Sequence, residues 1–568
     1  MQDTYDVIIL GGAFSGCSTA MVLSQVGFKV LVADNSTHPR FSIGESMVPT
    51  TTMGFQYLAR TYNIPEFRQV FRYTGLTSIG CAGFPKRHFF FGVHEPGKEL
   101  RHAHQVMFET LELPLGPDVH MLRSDVDAYL ASRLPIYGID YVANAALREF
   151  EPDDRGVRVS LSDGTTTHGV RAKLVVDASG AKSHLAHRYK LRDEIPRLRT
   201  NTRGIFSHFE GVKRVEDILE SPNPAFRYSR DAGTVHHCFK GGWIWVIPFN
   251  NAITSVGVVL DRNAFPLDKN ISPEEEFYSI IKRFPTVWAQ LGDMKPIRPF
   301  VSSRRIQFSS TSILGDGFIL EPTSAAFVDP LFSSGFALLQ AFLTRFTPIA
   351  QRVLGSSHYS PFTSLAEFRP LEKCFFTENE FIDRLVSGTI ESFRDFDVFK
   401  QYWRIWAYAT MMQWFTRAGA RPERTEGAGL LWGAGIPSWE KVVQEMDDTL
   451  YNGVGKEVEV AKRLAAIMNE LVQPHPTPYV SHETGSDRAH LSPNRMADVR
   501  PFQRWVRHLY SLPDVKNDVS FRRLGLLVLR QFCGRIEVAI RYRLSRWRGT
   551  QYHRDIDYMR SQLINDFP

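Results

Sequence analysis

What most narrows the folds open to this chain is its N-terminal strand–turn–helix–strand unit. Tyr5-Asp6-Val7-Ile8-Ile9-Leu10 is an apolar run with strand character, and Gly11-Gly12-Ala13-Phe14-Ser15-Gly16 follows without a spacer. Residues 17–23 read as a helix, and 29–33 as a second strand that ends at Asp34. Glycines in such a turn let the backbone approach a pyrophosphate at a helix N-terminus. The acid about twenty residues on accepts a hydrogen bond from a ribose hydroxyl. Gly11, Ala13, Phe14, Ser15, Gly16 and Asp34 are therefore candidate dinucleotide-binding residues. Ala13 stands where G-x-G-x-x-G has its middle glycine, so its methyl group meets the path of the diphosphate. The flanking strand and helix and the spacing to Asp34 sustain the assignment.

A second motif lies far from the first in sequence. Gly241-Gly242-Trp243-Ile244-Trp245-Val246-Ile247-Pro248 joins a strand-like run to two indoles at i and i+2. Side chains alternate across a strand, so Trp243 and Trp245 project from one face and form a wall. On the indoles alone, an aromatic pair in a core strand is the simpler reading. The whole string W-x-W-x-I-P, including Ile247 and Pro248, resembles the signature of the flavin-dependent halogenases. The same resemblance runs through Gly44-Glu45-Ser46 and Pro49, Arg123-Ser124-Asp125-Val126-Asp127, Leu174-Val175-Val176-Asp177-Ala178-Ser179-Gly180 and Phe327-Val328-Asp329-Pro330-Leu331-Phe332-Ser333-Ser334-Gly335. With the His94-Glu95-Pro96-Gly97 turn, it extends, with gaps, to about residue 415. It is strongest to the branch that holds the pyrrole-chlorinating and tetracycline-type enzymes.

The resemblance implies an α/β (α+β) FAD-binding fold of the flavin monooxygenase and halogenase superfamily. Residues 1–350 would form a Rossmann-type FAD domain interleaved with the β-rich W-x-W-x-I-P region, and 351–568 a mostly helical region covering the substrate. It implies FAD used as FADH2, O2, and chloride or bromide, with a separate NAD(P)H-dependent flavin reductase as partner. Arg40, Ser46, Arg123, Asp329 and Gly335 match cofactor-proximal positions, and Ser334 and Gly335 match the halide position. Isolated arginines are usually solvated, so the surrounding motifs are what favour cofactor roles for Arg40 and Arg123. Asp329-Pro330-Leu331 occurs in flavin hydroxylases as well and separates nothing.

In this family halide becomes hypohalous acid, and a lysine relays the halogen to an electron-rich aromatic or pyrrole small molecule by electrophilic substitution. The matching lysine is Lys86, eight residues before His94. A desolvated lysine loses its proton readily, and a neutral amine can accept a halogen, whereas the neighbouring Arg87 stays protonated. The two tryptophans would keep the organic substrate from the flavin. A base for the ring proton is left open among Glu95, Glu109 and Glu112.

Two other function classes share parts of this sequence. An FAD-dependent aromatic hydroxylase carries the same nucleotide motifs but needs neither both indoles nor Lys86. A non-catalytic flavoprotein would be one in which Ala13 weakens FAD binding and a basic tail recruits a membrane or partner. Residues 500–568 do hold 14 Lys and Arg against 6 Asp and Glu. Arg522 to Arg548 alternates apolar residues with arginines, and the expected arrangement packs the apolar side on the chain's own domain. Membrane contact is the less favoured reading, and no motif supports nucleic-acid binding. Phe393, Phe396, Trp403, Trp406, Met411 and Trp414 recur at near-helical spacing and read first as core.

At 43% hydrophobic and 23% charged residues, the chain has the composition of a globular protein. Its first strand starts by residue 5 with no basic leader, and no apolar stretch reaches membrane-spanning length. Five scattered cysteines suggest neither a disulfide framework nor a metal site, so the expected compartment is cytoplasmic. Adjacent strand residues face opposite ways, so His236 and His237 cannot chelate one ion together.

Overall fold

The computed structural model describes residues 2–110, 117–193, 197–219, 226, 228–410, 431–432, 434–435, 437–472, 490–491, 540–551 and 553–555. Thr4–Leu10 lies between Val30–Ala33 and Thr167–Asp177, all parallel. Asp140–Val142 and Phe318–Leu320 extend this sheet on its two sides. Its strands are rich in Val, Ile and Leu without alternation because a parallel sheet is covered on both faces. Val7, Ile8 and Ile9 are each fully buried. Helix Phe14–Gln25 makes the crossover, and Gly16 lets it leave the strand closely. A Cβ at Gly16 would stand 1.9 Å from the Gly11 carbonyl oxygen.

The second sheet places Gly242–Pro248 centrally, between Thr234–Phe239 and Thr254–Asp261. Antiparallel neighbours on both sides fix its register. Trp243 stands opposite Cys238 and Val259, and Trp245 opposite His236 and Gly257. The indoles do share one face, with ring centroids 5.8 Å apart. That face packs on Leu331, Phe332, Ala337 and Leu338 and on the aromatic residues of 393–408, in one apolar cluster. Ile244 and Val246, pointing the other way, join a separate cluster with Phe209, Phe277 and Ile281.

A two-stranded ladder pairs Gly83–Lys86 with Asp118–Met121 and sets Lys86 directly opposite Asp118. His120 also bridges to Ser46, which ties this ladder to the loop after the nucleotide unit.

Helices Arg369–Ser392 and Phe396–Tyr402 carry the chain onward, and Phe393, Phe396, Trp403 and Trp406 form part of the core, as the simpler reading had it. Met411, Trp414, the 422–429 loop, nearly all of the 475–500 connection and residues 522–539 lie outside the described residues. The described end of the basic segment departs from expectation. Ile540, Leu544 and Trp547 are exposed, Trp547 to 80%, while Ser545 is the side chain turned inward. The apolar stripe of that short stretch is thus not what docks it. No helix among the described residues is long and apolar enough to cross a membrane.

Gly257 is the sheet's answer to the bulk of Trp245. A Cβ there would lie 2.3 Å from the far edge of the indole and 2.5 Å from the Phe206 Cβ. Gly257→Ala should therefore cost about 1–3 kcal/mol, as overpacked cores do, and lower the midpoint of denaturant unfolding followed by tryptophan fluorescence.

Candidate active site

Gly11, Asp34, the 178–180 turn and Glu321 lie at the carboxyl ends of adjoining parallel strands, the edge where open α/β sheets bind ligands. Helix Phe14–Gln25 begins after Ala13 with no side chain capping it, so its first-turn N–H groups are available to an anion. Ala13 is half-buried and extended, a conformation any residue adopts, which is why alanine serves there. Phe14 contributes differently than expected. Its ring is fully buried against Phe336, at 4.2 Å, and Phe55, so only its backbone can face a nucleotide.

Asp34 is already saturated. Gly12 N and Arg40 Nη2 donate to Oδ2, each at 2.7 Å, while Arg40 Nη1 at 2.7 Å and Ser36 N at 3.0 Å donate to Oδ1. A carboxylate offers about four acceptor positions, so Asp34 here anchors the turn and Arg40 and is not an open ribose acceptor. Arg123 likewise binds protein. It donates to Asp127 at 2.9 and 3.0 Å and to the Ile43 carbonyl at 2.7 Å, with its guanidinium over the Phe336 ring. It holds the 43–46 loop against the starts of two helices.

Glu321 is a site residue that sequence reasoning missed. It is fully buried, accepts a hydrogen bond from Thr19 and faces Ser15, both on the nucleotide helix. Burial pushes its carboxyl up to about 7, against the opposing effect of those hydroxyls. Nothing in its sequence setting, one acid between a short apolar run and Pro322, marks it.

Lys86 is fully buried. Its Nζ donates to Ser46 Oγ at 2.8 Å and the Met47 carbonyl at 2.7 Å, and lies 3.4 Å from the centre of the Phe89 ring. Ser46 continues to Thr234 Oγ1 at 3.1 Å, and Thr234 to His120 Nε2 at 2.9 Å. Burial drives the Lys86 ammonium well below the usual lysine range, and the charge of Asp118 opposes that shift. Desolvation and then the Lys86 charge keep His120 well below the usual histidine range.

Trp243 is 1% exposed and Trp245 6%. Trp245 Nε1 donates to Ser255 Oγ at 3.1 Å, whereas the Trp243 N–H faces the Asp329 carboxyl without closing a well-formed hydrogen bond. Ile247 is buried in the same cluster, and Pro248 ends the strand with its carbonyl toward His120. Asp329 accepts from Thr202 Oγ1 at 2.9 Å and caps the turn Pro330–Phe332 through Leu331 N. Burial raises it to about 7. Ser333 is left-handed (φ 51°, ψ 38°) and Ser334 right-handed (φ −78°, ψ −16°). This alternation turns successive N–H groups into one concavity, an anion-binding nest, at the start of the twenty-residue helix Gly335–Leu354. A Cβ on Gly335 would meet open space.

Of the three glutamates, Glu95 is on the surface with Lys98 and Arg101, Glu109 is buried opposite His88, and Glu112 lies outside the described residues. Among the described residues no group of three His, Cys, Asp or Glu comes together to hold a metal. The residues present fit FAD: an uncapped helix start at the sheet's carboxyl edge, a second such start with an open nest, and a buried lysine and an indole wall beyond them.

A nucleotide-type strand edge beside a buried lysine is an arrangement that suits a flavin-dependent oxidoreductase. Residues 119–369 match the family model for tryptophan halogenase. The chain is 34% identical over 434 residues to monodechloroaminopyrrolnitrin halogenase PrnC of Pseudomonas fluorescens, spanning 74% of this chain and 75% of that protein. It is 32% identical to tetracycline 7-halogenase of Kitasatospora aureofaciens, over 72% of this chain and 74% of that one. The crystal structure of halogenase PltM in complex with phloroglucinol and FAD superimposes with a TM-score of 0.74 at 25% identity, covering 82% of this chain and 96% of PltM. The chain belongs to the flavin-dependent halogenases. It is an enzyme of FADH2-dependent halogenation, using O2 and halide on an aromatic or pyrrole substrate.

The buried Glu321 gives the fold a pH signature. Its carboxyl titrates near 7 when folded and in the ordinary carboxylate range when unfolded, so the native state holds the extra proton. Its contribution is complete below about pH 4.5 and is lost as pH rises to 7, on the order of 3 kcal/mol. Glu321→Gln should flatten the decline in unfolding free energy over that window, measured by denaturant titration at successive pH values.

Proposed function

We propose that Lys86 carries the halogen to an electron-rich aromatic or pyrrole ring, and that FAD lies along the edge formed by Gly11, Ala13, Gly16, Arg40, Ser46 and Gly335. Reduced FAD, supplied by a separate NAD(P)H-dependent reductase, would provide with O2 the oxidising equivalents that turn halide into hypohalous acid. The Ser334 and Gly335 N–H groups hold the halide, because the nest and helix start give it donors without a competing charge. Trp243 and Trp245 close the space behind them, so a small oxidant passes and a ring does not. The region from 351 onward covers the lysine side, where Trp406 packs edge-on against Phe89, the ring beside Lys86 Nζ.

The observation that carries this reading is the placement of Lys86. A lysine with no solvent exposure, hydrogen-bonded to Ser46 of the G-E-S loop and set on an aromatic face, is a costly arrangement for stability alone. It also makes the amine available as a neutral acceptor. The PrnC and tetracycline relatives act, by their names, on an aminopyrrolnitrin and on a tetracycline, and PltM is seen with phloroglucinol. Phenols, anilines, indoles and arylpyrroles are accordingly the substrates to try.

Incubation of such a panel with enzyme, FAD, a flavin reductase, NADH, O2 and chloride or bromide should yield products with a halogen isotope pattern in mass spectrometry. Lys86→Ala should reduce them by about 10²-fold or more while FAD binding persists. Oxygen added without halogen would place the chain with the hydroxylases instead.

A further inference from the structure

Lys86 needs somewhere to put its proton. As an ammonium it already spends two N–H bonds on Ser46 Oγ and the Met47 carbonyl, with the Phe89 ring against the same nitrogen. It is sealed from water, so a proton leaving it must pass to a neighbouring side chain. Three histidines feel its charge. His88 binds the Ser229 carbonyl, His120 binds Thr234 Oγ1 and His236 binds the Phe90 carbonyl. Burial holds His88 at about 4 and His236 at about 3, and puts His120 well below its ordinary range, so none is ready to take a proton. Glu109 faces His88 on the next strand, Glu45 is bonded to His208 at 2.7 Å, and Arg87 lies over the Tyr228 ring.

Asp118 is placed differently. It is the Cα partner of Lys86 across the ladder, so the two side chains leave the same face of a twisted pair of strands. It is 2% exposed. Thr52 Oγ1 donates to its Oδ1 at 2.8 Å, but its Oδ2, also buried, accepts no hydrogen bond among the described residues. An acceptor oxygen left open in the interior, across the ladder from a buried cation with which it closes no ion pair, is an expensive feature unless it is used. We propose that Asp118 is the proton partner of Lys86, which takes the ammonium proton onto Oδ2 before halogen arrives and returns it to the lysine nitrogen as halogen leaves. The inference rests on Lys86 being the halogen carrier.

The exchange balances at each stage. In the first, an Nζ–H bond breaks and an Oδ2–H bond forms, turning ammonium and carboxylate into amine and acid with no change in net charge. Hypohalous acid and the amine then give the haloamine and water. When the ring displaces the halogen, the Asp118 proton goes to Nζ, and the proton lost by the ring replaces it on the carboxylate. The transfer requires Nζ to swing from Ser46 toward Oδ2, a movement for which the four-carbon lysine stem supplies the rotatable bonds. Burial acts in the same direction at both groups: the carboxyl is pushed up to about 7 and the ammonium well down, with Thr52 and the lysine charge opposing the former. A proton shared by two such groups titrates as a property of the pair.

The test compares wild type, Asp118→Asn, Asp118→Glu and Lys86→Met, each checked for FAD binding. In infrared difference spectra of the whole protein, wild type minus Asp118→Asn should show a carboxylic-acid C=O band that disappears as pH rises. The matching difference between Lys86→Met and the double variant should show that band persisting to higher pH, because the cation that favours the carboxylate is gone. A packing role for Asp118 would leave that midpoint where it was, and an unmoved midpoint overturns the proposal. In turnover, Asp118→Asn should lose about tenfold or more in kcat with KM little changed, and Asp118→Glu should recover part of it. If Lys86→Met is inactive while Asp118→Asn matches wild type across the pH range, the proton partnership is wrong and the lysine reading stands. If Lys86→Met still halogenates, the lysine reading itself fails.

Discussion

The cost of removing one lysine ammonium from water organises this molecule more than any other interaction. An unpaired buried charge costs several kcal/mol, and the protein offsets it from three directions. The loop after the nucleotide unit brings Ser46 and Met47, the small ladder brings Asp118 and His120, and the second sheet brings Phe89 and Thr234, which links Ser46 to His120. Each of these belongs to a separate stretch of sequence, so satisfying Lys86 also fixes the ladder between the nucleotide edge and the indole wall. The same bonds that stabilise the cation hold it where a neutral amine could react.

Burial also acts on three acids of the molecule. Glu321, Asp118 and Asp329 are all buried and all titrate near 7 because desolvation outweighs their hydrogen bonds. Each therefore gives up its proton less readily than an exposed acid, while the helix start at Ala13 and the turn at Ser333 and Ser334 carry no side-chain cap. Asp329 shows the economy of the arrangement, since one side chain caps the turn Pro330–Phe332, binds Thr202 and borders Trp243.

Much of this was legible in the residues themselves. The N-terminal unit, the shared face of Trp243 and Trp245 and the opposed faces of His236 and His237 follow from period-two alternation and glycine placement, both local properties. His236 does stack on Phe91 while His237 bonds to His94 on the other side. The aromatic residues 393–406 were readable as core for the same reason. What sequence could not supply was partnership at a distance. Asp34 reads as a ribose ligand until Arg40, six residues on, is seen to fill its acceptor sites. Phe14 falls inside the motif, yet its ring meets Phe336. Asp118 and Glu321 matter because of a ladder register and a parallel strand end, neither of which leaves a periodic trace.

One measurement separates making the oxidant from delivering it: the fate of hypohalous acid when Lys86 is replaced by Met. Enzyme, reductase, halide and O2 would be run with the ring substrate and a small, freely diffusing halogen trap, and both halogenated products quantified. With Lys86 as the carrier, the variant should still form oxidant at a rate near that of wild type, seen as a rise in halogenated trap that matches the collapse of substrate halogenation. Undiminished substrate halogenation in the variant, with no gain in trapped halogen, would contradict the role given to this lysine.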